Sequence, residues 1–223
     1  MTSRRAALRS ICSGVCLLPV FSLGRPRAAY GIGGILPALD QPAPDFRLAG
    51  VAPLGESSVA AGALRSPAAD QRVPAAENGV DEVTLGLEDF RNQWLVLYFY
   101  PRDFTSGCTL EARGFQRDLD QFRRRGARVV GVSADDSSEH ASFCGSEGLR
   151  FPLLSDPGGS VSQRYGSWIA PFSQRHTFLI DPEGILRARW SAVRPAGHSR
   201  EVLAELERLQ QGGSVEAAGG GQA

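Results

Sequence analysis

The chain has 223 residues, of which 42% are hydrophobic and 22% are charged, and its formal net charge is zero. This composition fits one globular domain with tails and excludes a fibrous or wholly disordered protein. All five basic residues before position 40 lie in a stretch without acids, so the remainder, with 19 basic and 24 acidic residues, is mildly acidic and lacks the basic stripe of a nucleic-acid-binding protein.

The first 30 residues have the pattern of a targeting leader. Arg4 and Arg5 precede an apolar run from Val15 to Leu23, and small residues follow near position 28. This order resembles a twin-arginine export signal, and a bipartite plastid transit peptide ends in a similar signal. The run is too short to remain as a membrane-spanning helix. We therefore expect cleavage between residues 28 and 34 and a location in the thylakoid lumen of a plastid, with a bacterial periplasm or a plain N-terminal tail as alternatives.

A domain over residues 40–210 is predicted to begin with an interrupted hairpin. A short edge strand over 46–48 can pair with the alternating apolar residues of 83–87. Between them, residues 50–81 are rich in Ala, Gly, Pro and Ser, which indicates a loop insertion. After a turn, the apolar run from Leu95 to Tyr100 is typical of a central strand that is covered on both faces.

Helices and strands alternate after this run. Apolar residues at Phe115, Leu119 and Phe122 predict an amphipathic helix from Cys108 to about residue 125, with Gly126 just beyond its end. There follow a strand over 129–132, a helix over 137–147 capped by Asp136 and Glu139, a strand over 149–154, a short helix over 159–165, a strand over 176–180, a turn over 181–184, an antiparallel strand over 185–190 and a helix over 199–209. Residues 211–223 are predicted to be a disordered tail. The pattern predicts an α/β fold with a mixed central sheet and helices on both faces.

The cysteines indicate a reactive thiol rather than a metal site. Cys12 and Cys16 belong to the leader, which leaves Cys108 and Cys144 in the folded body. No C-x-x-C pair is present, so neither a zinc site nor a dithiol motif is expected, and we predict no metal or cofactor. Cys108 falls in the first turn of its predicted helix, where unpaired N–H groups and the helix dipole stabilise a thiolate.

The residues around Cys108 read Y-F-Y-P-R-D-F-T-S-G-C-T, and they resemble the peroxiredoxin signature P-x-x-x-T-x-x-C in its peroxiredoxin Q form, also called bacterioferritin comigratory protein. Further matches at A-P-D-F, G-A-R-V-V-G-V-S-A-D, F-P-L-L-S-D and R-H-T-F-L-I-D-P-E-G extend the resemblance over about residues 42–210, apart from the insertion. The resemblance implies a thioredoxin-like fold and a cysteine-dependent peroxidase for hydrogen peroxide and organic hydroperoxides. It also implies a monomer that thioredoxin reduces.

The resemblance gives each site residue an expected role. Cys108 is the peroxidatic nucleophile, which becomes a sulfenic acid. Thr105 can place its hydroxyl beside the sulfur or serve as a helix N-cap, and Pro101 shields the site or simply ends the strand. Arg175 is expected to supply positive charge to the thiolate and the departing oxygen. Glu111 is expected either to orient Arg175 or to act as a plain N-terminal helix charge.

The second cysteine of the cycle is less certain from sequence. Many members of the group carry it five residues after the first, where this chain has Arg113. Other members carry it on the next helix, and Cys144 falls in the helix predicted over 137–147. A disulfide needs Cα atoms within about 7 Å, so a larger separation would require local unwinding. A one-Cys peroxidase, a thiol-disulfide exchange or redox-sensing protein, and a binding module that uses the insertion remain open.

Overall fold

The computed structural model describes residues 29–31, 33–54 and 79–218 of the chain. The predictions for the leader up to residue 28, for residues 55–78 of the insertion and for residues 219–223 of the tail lie outside these ranges. None of the helices in the described ranges is both long enough and apolar enough to cross a membrane.

A seven-stranded mixed sheet forms the centre of the fold. The strands in chain order are β1 (Ala29–Gly31), β2 (Gly34–Leu36), β3 (Arg47–Pro53), β4 (Val80–Gly86), β5 (Trp94–Phe99), β6 (Ala127–Ser133), β7 (Leu153–Ser155), β8 (Trp168–Ile169), β9 (Phe172–Ser173), β10 (His176–Ile180) and β11 (Leu186–Trp190). The large sheet has the order β11-β10-β5-β6-β7-β3-β4, while β1 with β2 and β8 with β9 form two small sheets. Strands β5, β6 and β7 run parallel to one another, and the other neighbours in the large sheet are antiparallel.

The helices lie on both faces of this sheet. They are α1 (Ser106–Arg124), α2 (Ser137–Glu147), α3 (Ser160–Arg164) and α4 (His198–Ala218), and a 310-helix spans Leu87–Phe90. One apolar core joins Tyr98 of β5 to side chains of α1, α2 and α4. A second core, on the other face, joins Leu97 and Phe99 of β5 to α3 and the 310-helix. The predicted α/β architecture, with helices on both faces of a mixed sheet, is therefore confirmed.

Local sequence signals account for the elements that carry the site. Strand β5 is buried on both faces, as its apolar run predicts, because alternate side chains enter the two cores. Gly126 follows α1 with a positive φ of 65°, which favours glycine after a helix end. At the start of α2, the Asp136 side chain accepts a hydrogen bond from the Glu139 N–H at 2.9 Å, so the predicted capping pair and the 137–147 helix are both confirmed.

Strand β3 corrects two predictions. It pairs with β4 in the expected register, Leu48 opposite Leu85, but it also pairs with β7 and is therefore not an edge strand. Residues 50–53 and 80–81, predicted as part of the insertion, belong to the strands. Gly50 is required there because a Cβ atom would lie 2.1 Å from the Leu153 carbonyl oxygen, so a small residue that suggests a loop marks a close approach of two strands.

Other boundaries also differ from the predictions. The strand predicted over 149–154 covers only Leu153–Ser155, because the Leu149 N–H bonds to the Cys144 carbonyl at the end of α2. Helix α4 continues to Ala218, so residues 211–218 of the predicted tail are helical, since extending a formed helix adds one hydrogen bond for each residue fixed. The domain begins before residue 40, because Leu36 of β2 is buried in the second core.

Candidate active site

The N-terminus of α1 carries Cys108 beyond the C-terminal end of strand β5. Strand β5 ends at Phe99, and the Tyr100 N–H still bonds to the Val132 carbonyl of β6 at 3.1 Å. Pro101, which has no N–H to donate, follows at once and starts a loop over residues 101–105. Thr105 is the N-cap of α1 and Cys108 is its third residue, as the sequence predicts, so the thiol lies in the first turn.

Arg175 reaches Cys108 from a neighbouring strand. Its Nη2 atom donates a hydrogen bond to Cys108 Sγ at 3.3 Å. The two residues are brought together by the sheet, because β10 pairs antiparallel with β5 and His176 lies opposite Phe99. Arg175 immediately precedes this pair and therefore lies beside the point where the loop to α1 begins. A guanidinium cannot lose its proton at ordinary pH, so the contact keeps a positive charge against the sulfur of Cys108.

Glu111 holds the other side of the same guanidinium. Its Oε2 atom accepts a hydrogen bond from Arg175 Nη1, and its side chain is 1% exposed. Burial raises the pKa of Glu111 to about 7, although Arg175 acts in the opposite direction. Burial lowers the pKa of Arg175, but Glu111 and Cys108 outweigh this effect and leave the pKa above its ordinary value. The cation is therefore fixed between a carboxyl group and the sulfur.

Pro101 and Thr105 lie in the loop that precedes the helix carrying the thiol. The Thr105 hydroxyl donates a hydrogen bond to the Arg102 carbonyl at 3.0 Å, and its side chain makes no capping hydrogen bond to α1. The hydroxyl proton is thus used within the loop, and the oxygen keeps its lone pairs for an incoming donor.

Cys144 lies on α2, inside the same core as Cys108. Both thiols are free and buried, with exposed fractions of 2% and 1%. Burial, followed by the charge of Asp103, raises the pKa of Cys144 to about 12. Burial raises the pKa of the Tyr98 hydroxyl in this core, and the charges of Glu111, Asp103 and the two cysteines raise it further. The predicted placement of Cys144 on the second helix is confirmed, while its role is a matter for proposal.

Two features of the site were not predicted from the sequence. Gly107 lies against Arg175, since a Cβ atom at this position would be 3.1 Å from Arg175 Nη2. Asp103 accepts hydrogen bonds from the Tyr100 hydroxyl and from His140 Nδ1, both at 2.7 Å. The motif around Cys108 contains Gly107 and Asp103, but nothing local indicates which distant side chains they meet.

Asp103 and His140 form a polar cluster with Asp135. Their ligand-type atoms lie within 4.8 Å of one another and are buried, a spacing that a metal ion could bridge. The carboxylates are already used, however: Asp103 accepts from Tyr100 and His140, and Asp135 Oδ2 accepts from the Asp103 N–H at 2.8 Å. The two carboxylates are therefore engaged in a hydrogen-bond network that ties the loop before α1 to α2, while the buried His140 Nε2 has no hydrogen-bond partner in the described part of the chain.

Comparison with known proteins gives consistent matches. A family model described as the AhpC/TSA family matches residues 64–189. A peroxiredoxin Bcp from Xanthomonas campestris is 37% identical over 153 residues, which are 65% of this chain and 94% of the relative. A chloroplastic peroxiredoxin Q from Populus jackii is 35% identical over 133 residues, 58% of this chain and 62% of the relative.

Solved structures match as well. A PrxQ variant from Xylella fastidiosa has a TM-score of 0.56 and 37% identity, over 57% of this chain and 84% of that one. A reduced 2-Cys peroxiredoxin from Plasmodium vivax has a TM-score of 0.62 over 79% of this chain and 98% of that one, at 22% identity, and this likeness concerns the fold alone. The predicted thioredoxin-like fold is confirmed by these neighbours.

Proposed function

The chain belongs to the AhpC/TSA family and is a thiol-dependent peroxidase of the peroxiredoxin Q type, and we propose that Cys108 is the side chain that reduces the hydroperoxide. The observation that carries this assignment is the 3.3 Å hydrogen bond from Arg175 Nη2 to Cys108 Sγ at the first turn of α1. A thiolate is the nucleophilic form of cysteine, and both the cation and the helix terminus favour it.

The proposed reaction begins with attack of the Cys108 thiolate on the terminal oxygen of a hydroperoxide. An S–O bond forms as the O–O bond breaks, so the sulfur is oxidised to a sulfenic acid and the peroxide is reduced. The second oxygen leaves as hydroxide or alkoxide and takes a proton to become water or alcohol. Negative charge moves from sulfur to oxygen in this step, and in this proposal Arg175, which donates a hydrogen bond to the sulfur, stabilises the charge at both positions.

The residues around the thiol have supporting roles in this proposal. Glu111 fixes the guanidinium of Arg175, so that one Nη atom faces the sulfur. The Thr105 oxygen, whose proton is donated to Arg102, accepts a hydrogen bond from the peroxide. Pro101 holds the loop corner and limits the access of water.

We propose both hydrogen peroxide and organic hydroperoxides as substrates. Two large apolar side chains are exposed on either side of Cys108 in the chain, Phe104 at 55% and Leu110 at 50%. They offer apolar surface for an alkyl group around the start of α1. A solved structure of the Xanthomonas campestris relative is described in terms of alkyl peroxide reduction. Competition between cumene hydroperoxide and hydrogen peroxide for the reduced enzyme tests this assignment.

Substitution of the thiol tests the assignment of the nucleophile. We expect Cys108→Ser to consume no peroxide above the uncatalysed rate, because a serine hydroxyl is not ionised at neutral pH. Cys144→Ser is the matched control, and it is expected to reduce one equivalent of peroxide in its first turnover. Unchanged peroxide consumption by Cys108→Ser would overturn the assignment.

We further propose that Cys144 resolves the sulfenic acid as an intramolecular disulfide, which a thioredoxin-type dithiol then reduces. The support is the placement of both thiols in one apolar core. Mass spectrometry after one equivalent of peroxide is expected to find a peptide pair joined by a reducible Cys108–Cys144 bond. A lasting sulfenic acid at Cys108, or disulfides between chains only, would favour a one-Cys or dimeric route instead.

For location, we propose export by the twin-arginine route into a thylakoid lumen, with a bacterial periplasm as the alternative, and a monomeric mature protein. The relatives include chloroplastic and bacterial proteins, and Arg4 and Arg5 stand before the apolar run. A reporter fused to residues 1–30 should be exported, and the Arg4→Lys, Arg5→Lys double variant should not be. Sedimentation of the mature chain tests the monomer.

A further inference from the structure

Residues 191–197, which we call the β11–α4 loop, are attached to β10 near their start and directly after their end. Near the start, the Val193 N–H donates a hydrogen bond to the Arg175 carbonyl at 3.0 Å. After the end, His198 begins α4, and its Nε2 atom lies 2.8 Å from Thr177 Oγ1. Arg175 directly precedes β10 and Thr177 is the second residue of that strand, so the two attachments meet the same short segment.

The contact between His198 and Thr177 is buried, since both residues are 0% exposed. Thr177 lies opposite Tyr98 in the β10–β5 register, so its side chain is on the sheet face that α1 and α4 cover. The His198 ring is in T-shaped contact with Phe115 of α1 and Trp190 of β11, with ring centroids 5.8 Å and 5.7 Å apart. Loss of the hydrogen bond would leave a polar atom unpaired inside this core, which is destabilising.

The surroundings of His198 decide which ring nitrogen accepts. Nδ1 lies 3.2 Å from the Glu201 carboxylate, which can only accept, so we assign the ring proton to Nδ1. Burial lowers the pKa of His198 below its ordinary value of 6.5, against the effect of Glu201, and the charge of Arg175 lowers it further. The ring is therefore neutral at pH 7, and Nε2 accepts a hydrogen bond from the Thr177 hydroxyl.

The β11–α4 loop also contacts the first turn of α1. A Cβ atom at Gly107 would lie 3.7 Å from Pro195 Cγ and 3.1 Å from Arg175 Nη2. Gly107 directly precedes Cys108, whose sulfur is 3.3 Å from the same Nη2. A displaced loop would therefore act on Arg175 in two ways, through the Val193 hydrogen bond to its carbonyl and through Pro195, which lies against the same turn as its guanidinium.

A different hydrogen bond holds the same turn of α4 to α1. Ser199 Oγ donates to Asp118 Oδ2 at 2.7 Å, and Ser199 is 2% exposed. Asp118 is ten residues after Cys108 in α1, which is about 15 Å along the helix axis. The Ser199 and His198 contacts are thus alike in length and burial, but of the two only the His198 contact leads to β10.

We propose that His198 is a positioning residue for the attack on the hydroperoxide: through Thr177 and the β11–α4 loop, it holds the guanidinium of Arg175 in place. The inference rests on the proposed function of Cys108 and Arg175. In the step concerned the S–O bond forms, the O–O bond breaks, and the departing hydroxide or alkoxide takes a proton. The guanidinium stabilises the moving charge only from a narrow range of positions, and a displacement of about 1 Å can lower a rate about 100-fold.

Two substitutions of Thr177 test the buried contact. Thr177→Val removes the hydroxyl and keeps the shape of the side chain, and we expect the rate constant for sulfenic acid formation to fall about tenfold, because the loop loses one attachment. Thr177→Ser keeps the hydroxyl and should stay within about twofold of the parent. The rate constant is measured by stopped flow in a single turnover of the reduced protein with hydrogen peroxide. A parent rate for Thr177→Val would overturn the inference.

Two substitutions of His198 separate its hydrogen bond from its packing. His198→Phe keeps an aromatic ring against Phe115 and Trp190 and should be about tenfold slower. His198→Gln puts an amide near the position of Nε2 and should recover most of this loss. The double variant, Thr177→Val with His198→Phe, should be no slower than either single variant, because all three lack the same bond. Decreases that multiply in the double variant would contradict a shared path.

Alkylation of Cys108 by iodoacetamide separates a displaced guanidinium from general damage. The departing iodide needs little stabilisation by a hydrogen-bond donor, whereas the departing oxygen of a peroxide needs much. Thr177→Val and His198→Phe should therefore be alkylated at a rate within about twofold of the parent. Ser199→Ala is the matched control and should keep both rates within about twofold. Equal decreases in the two reactions for the Thr177 and His198 variants would refute positioning of Arg175.

The Arg175→Met variant separates failure of the inference from failure of the proposed function. If Arg175→Met reacts with peroxide as fast as the parent, the proposed role of Arg175 fails and the inference fails with it. If Arg175→Met is slow while Thr177→Val and His198→Phe react at the parent rate, only the inference is overturned. Circular dichroism checks that each variant is folded, and Thr177→Val, the smaller change, decides the outcome if His198→Phe does not fold.

Discussion

At the scale of single residues, the site depends on one guanidinium shared by two groups. Arg175 donates to Cys108 Sγ at 3.3 Å and to Glu111 on its other side. Glu111 is buried and one of its oxygens, Oε1, has no hydrogen-bond partner in the part of the chain that the structure describes. The Glu111 carboxyl group therefore has a raised pKa and carries less negative charge near pH 7 than an exposed glutamate. It consequently competes less strongly with Cys108 for the Arg175 guanidinium. Two predictions follow from this arrangement, one for the cation and one for the carboxyl group.

Loss of the cation is expected to slow the first step. Arg175→Met should lower the second-order rate constant for peroxide by about 100-fold, the size found when one charge-stabilising donor is removed from an active site. Stopped-flow measurement of sulfenic acid formation checks this. Arg208→Met removes an arginine from an exposed ion pair on α4 and should have no effect. An equal rate for Arg175→Met and the parent would remove Arg175 from the mechanism.

The Glu111 carboxyl group predicts a pH dependence of stability. Its pKa rises from an ordinary value of 4.5 to about 7 in the fold, so between these values the unfolded chain loses the proton while the folded chain keeps it. Stability is thus full below pH 4.5 and falls as pH rises to about 7, by roughly 3 kcal/mol in total.

The Glu111→Gln variant lacks this titration. Urea unfolding at pH 5 and pH 8 should give a smaller decrease in the free energy of unfolding for Glu111→Gln than for the parent. The same variant holds Arg175 less firmly and should react more slowly with peroxide. Parallel pH profiles for the two proteins would show that Glu111 keeps its ordinary acidity in the fold.

At the scale of elements, the first turn of α1 is shaped by what lies against it. Gly107 is followed directly by Cys108, and a Cβ atom at position 107 would lie 3.1 Å from Arg175 Nη2 and 3.7 Å from Pro195. The helix start can approach the guanidinium closely because this residue has no side chain. A glycine inside a helix lowers the stability of the helix. At position 107 it therefore costs helix stability but allows the close approach of Arg175 to the first turn.

Gly107→Ala is therefore expected to have opposite effects on activity and stability. Arg175 must move by a few tenths of an ångström, and we expect the rate of sulfenic acid formation to fall about tenfold. The free energy of unfolding should stay equal or rise by about 0.5 kcal/mol, because alanine is the better helix former. Gly158→Ala, at a position with open space around it, is the matched control and should change neither quantity by much. Equal activity in Gly107→Ala and the parent would contradict the close contact.

At the scale of the whole molecule, the two strands on either side of the inserted segment pair along their full length. Strands β3 and β4 pair from Arg47 opposite Gly86 to Pro53 opposite Val80, and the Leu54 N–H bonds to the Gly79 carbonyl at 3.2 Å. The ends of the hairpin are therefore adjacent, and a short turn can join them. The residues of the site come from other elements: Cys108 lies on α1, which follows β5, and Arg175 immediately precedes β10.

Deletion of residues 55–78, with a two-residue Asn-Gly turn in their place, tests whether catalysis needs the inserted segment. We expect the rate constant for peroxide to stay within twofold and the melting temperature to stay equal or rise by a few degrees, because a shorter loop costs less entropy on closure. Thermal unfolding and the peroxide assay check both. A large loss of activity in a folded deletion variant would assign the segment a part in catalysis.

The features that the sequence alone determined are those with a local cause. The continuous apolar run from Leu95 to Tyr100 predicted β5, the apolar spacing of Phe115, Leu119 and Phe122 predicted α1, and the Asp136–Glu139 pair predicted the start of α2. The motif that ends in Cys108 gave the family and, through it, an expected role for Arg175. These signals lie within one or two turns of the residues that they describe.

Only the tertiary structure decided which distant residues meet. The β5–β10 register puts Arg175 at Cys108, and β7 pairs with β3 and makes it an interior strand, although residues 50–53 look like a loop in sequence. The contacts of Asp103 with His140 and of Arg113 with Glu147 join segments that are 37 and 34 residues apart. Such contacts depend on strand register and helix packing. Sequences with the same local pattern can adopt different registers and packings, so no local signal in this chain specifies these contacts.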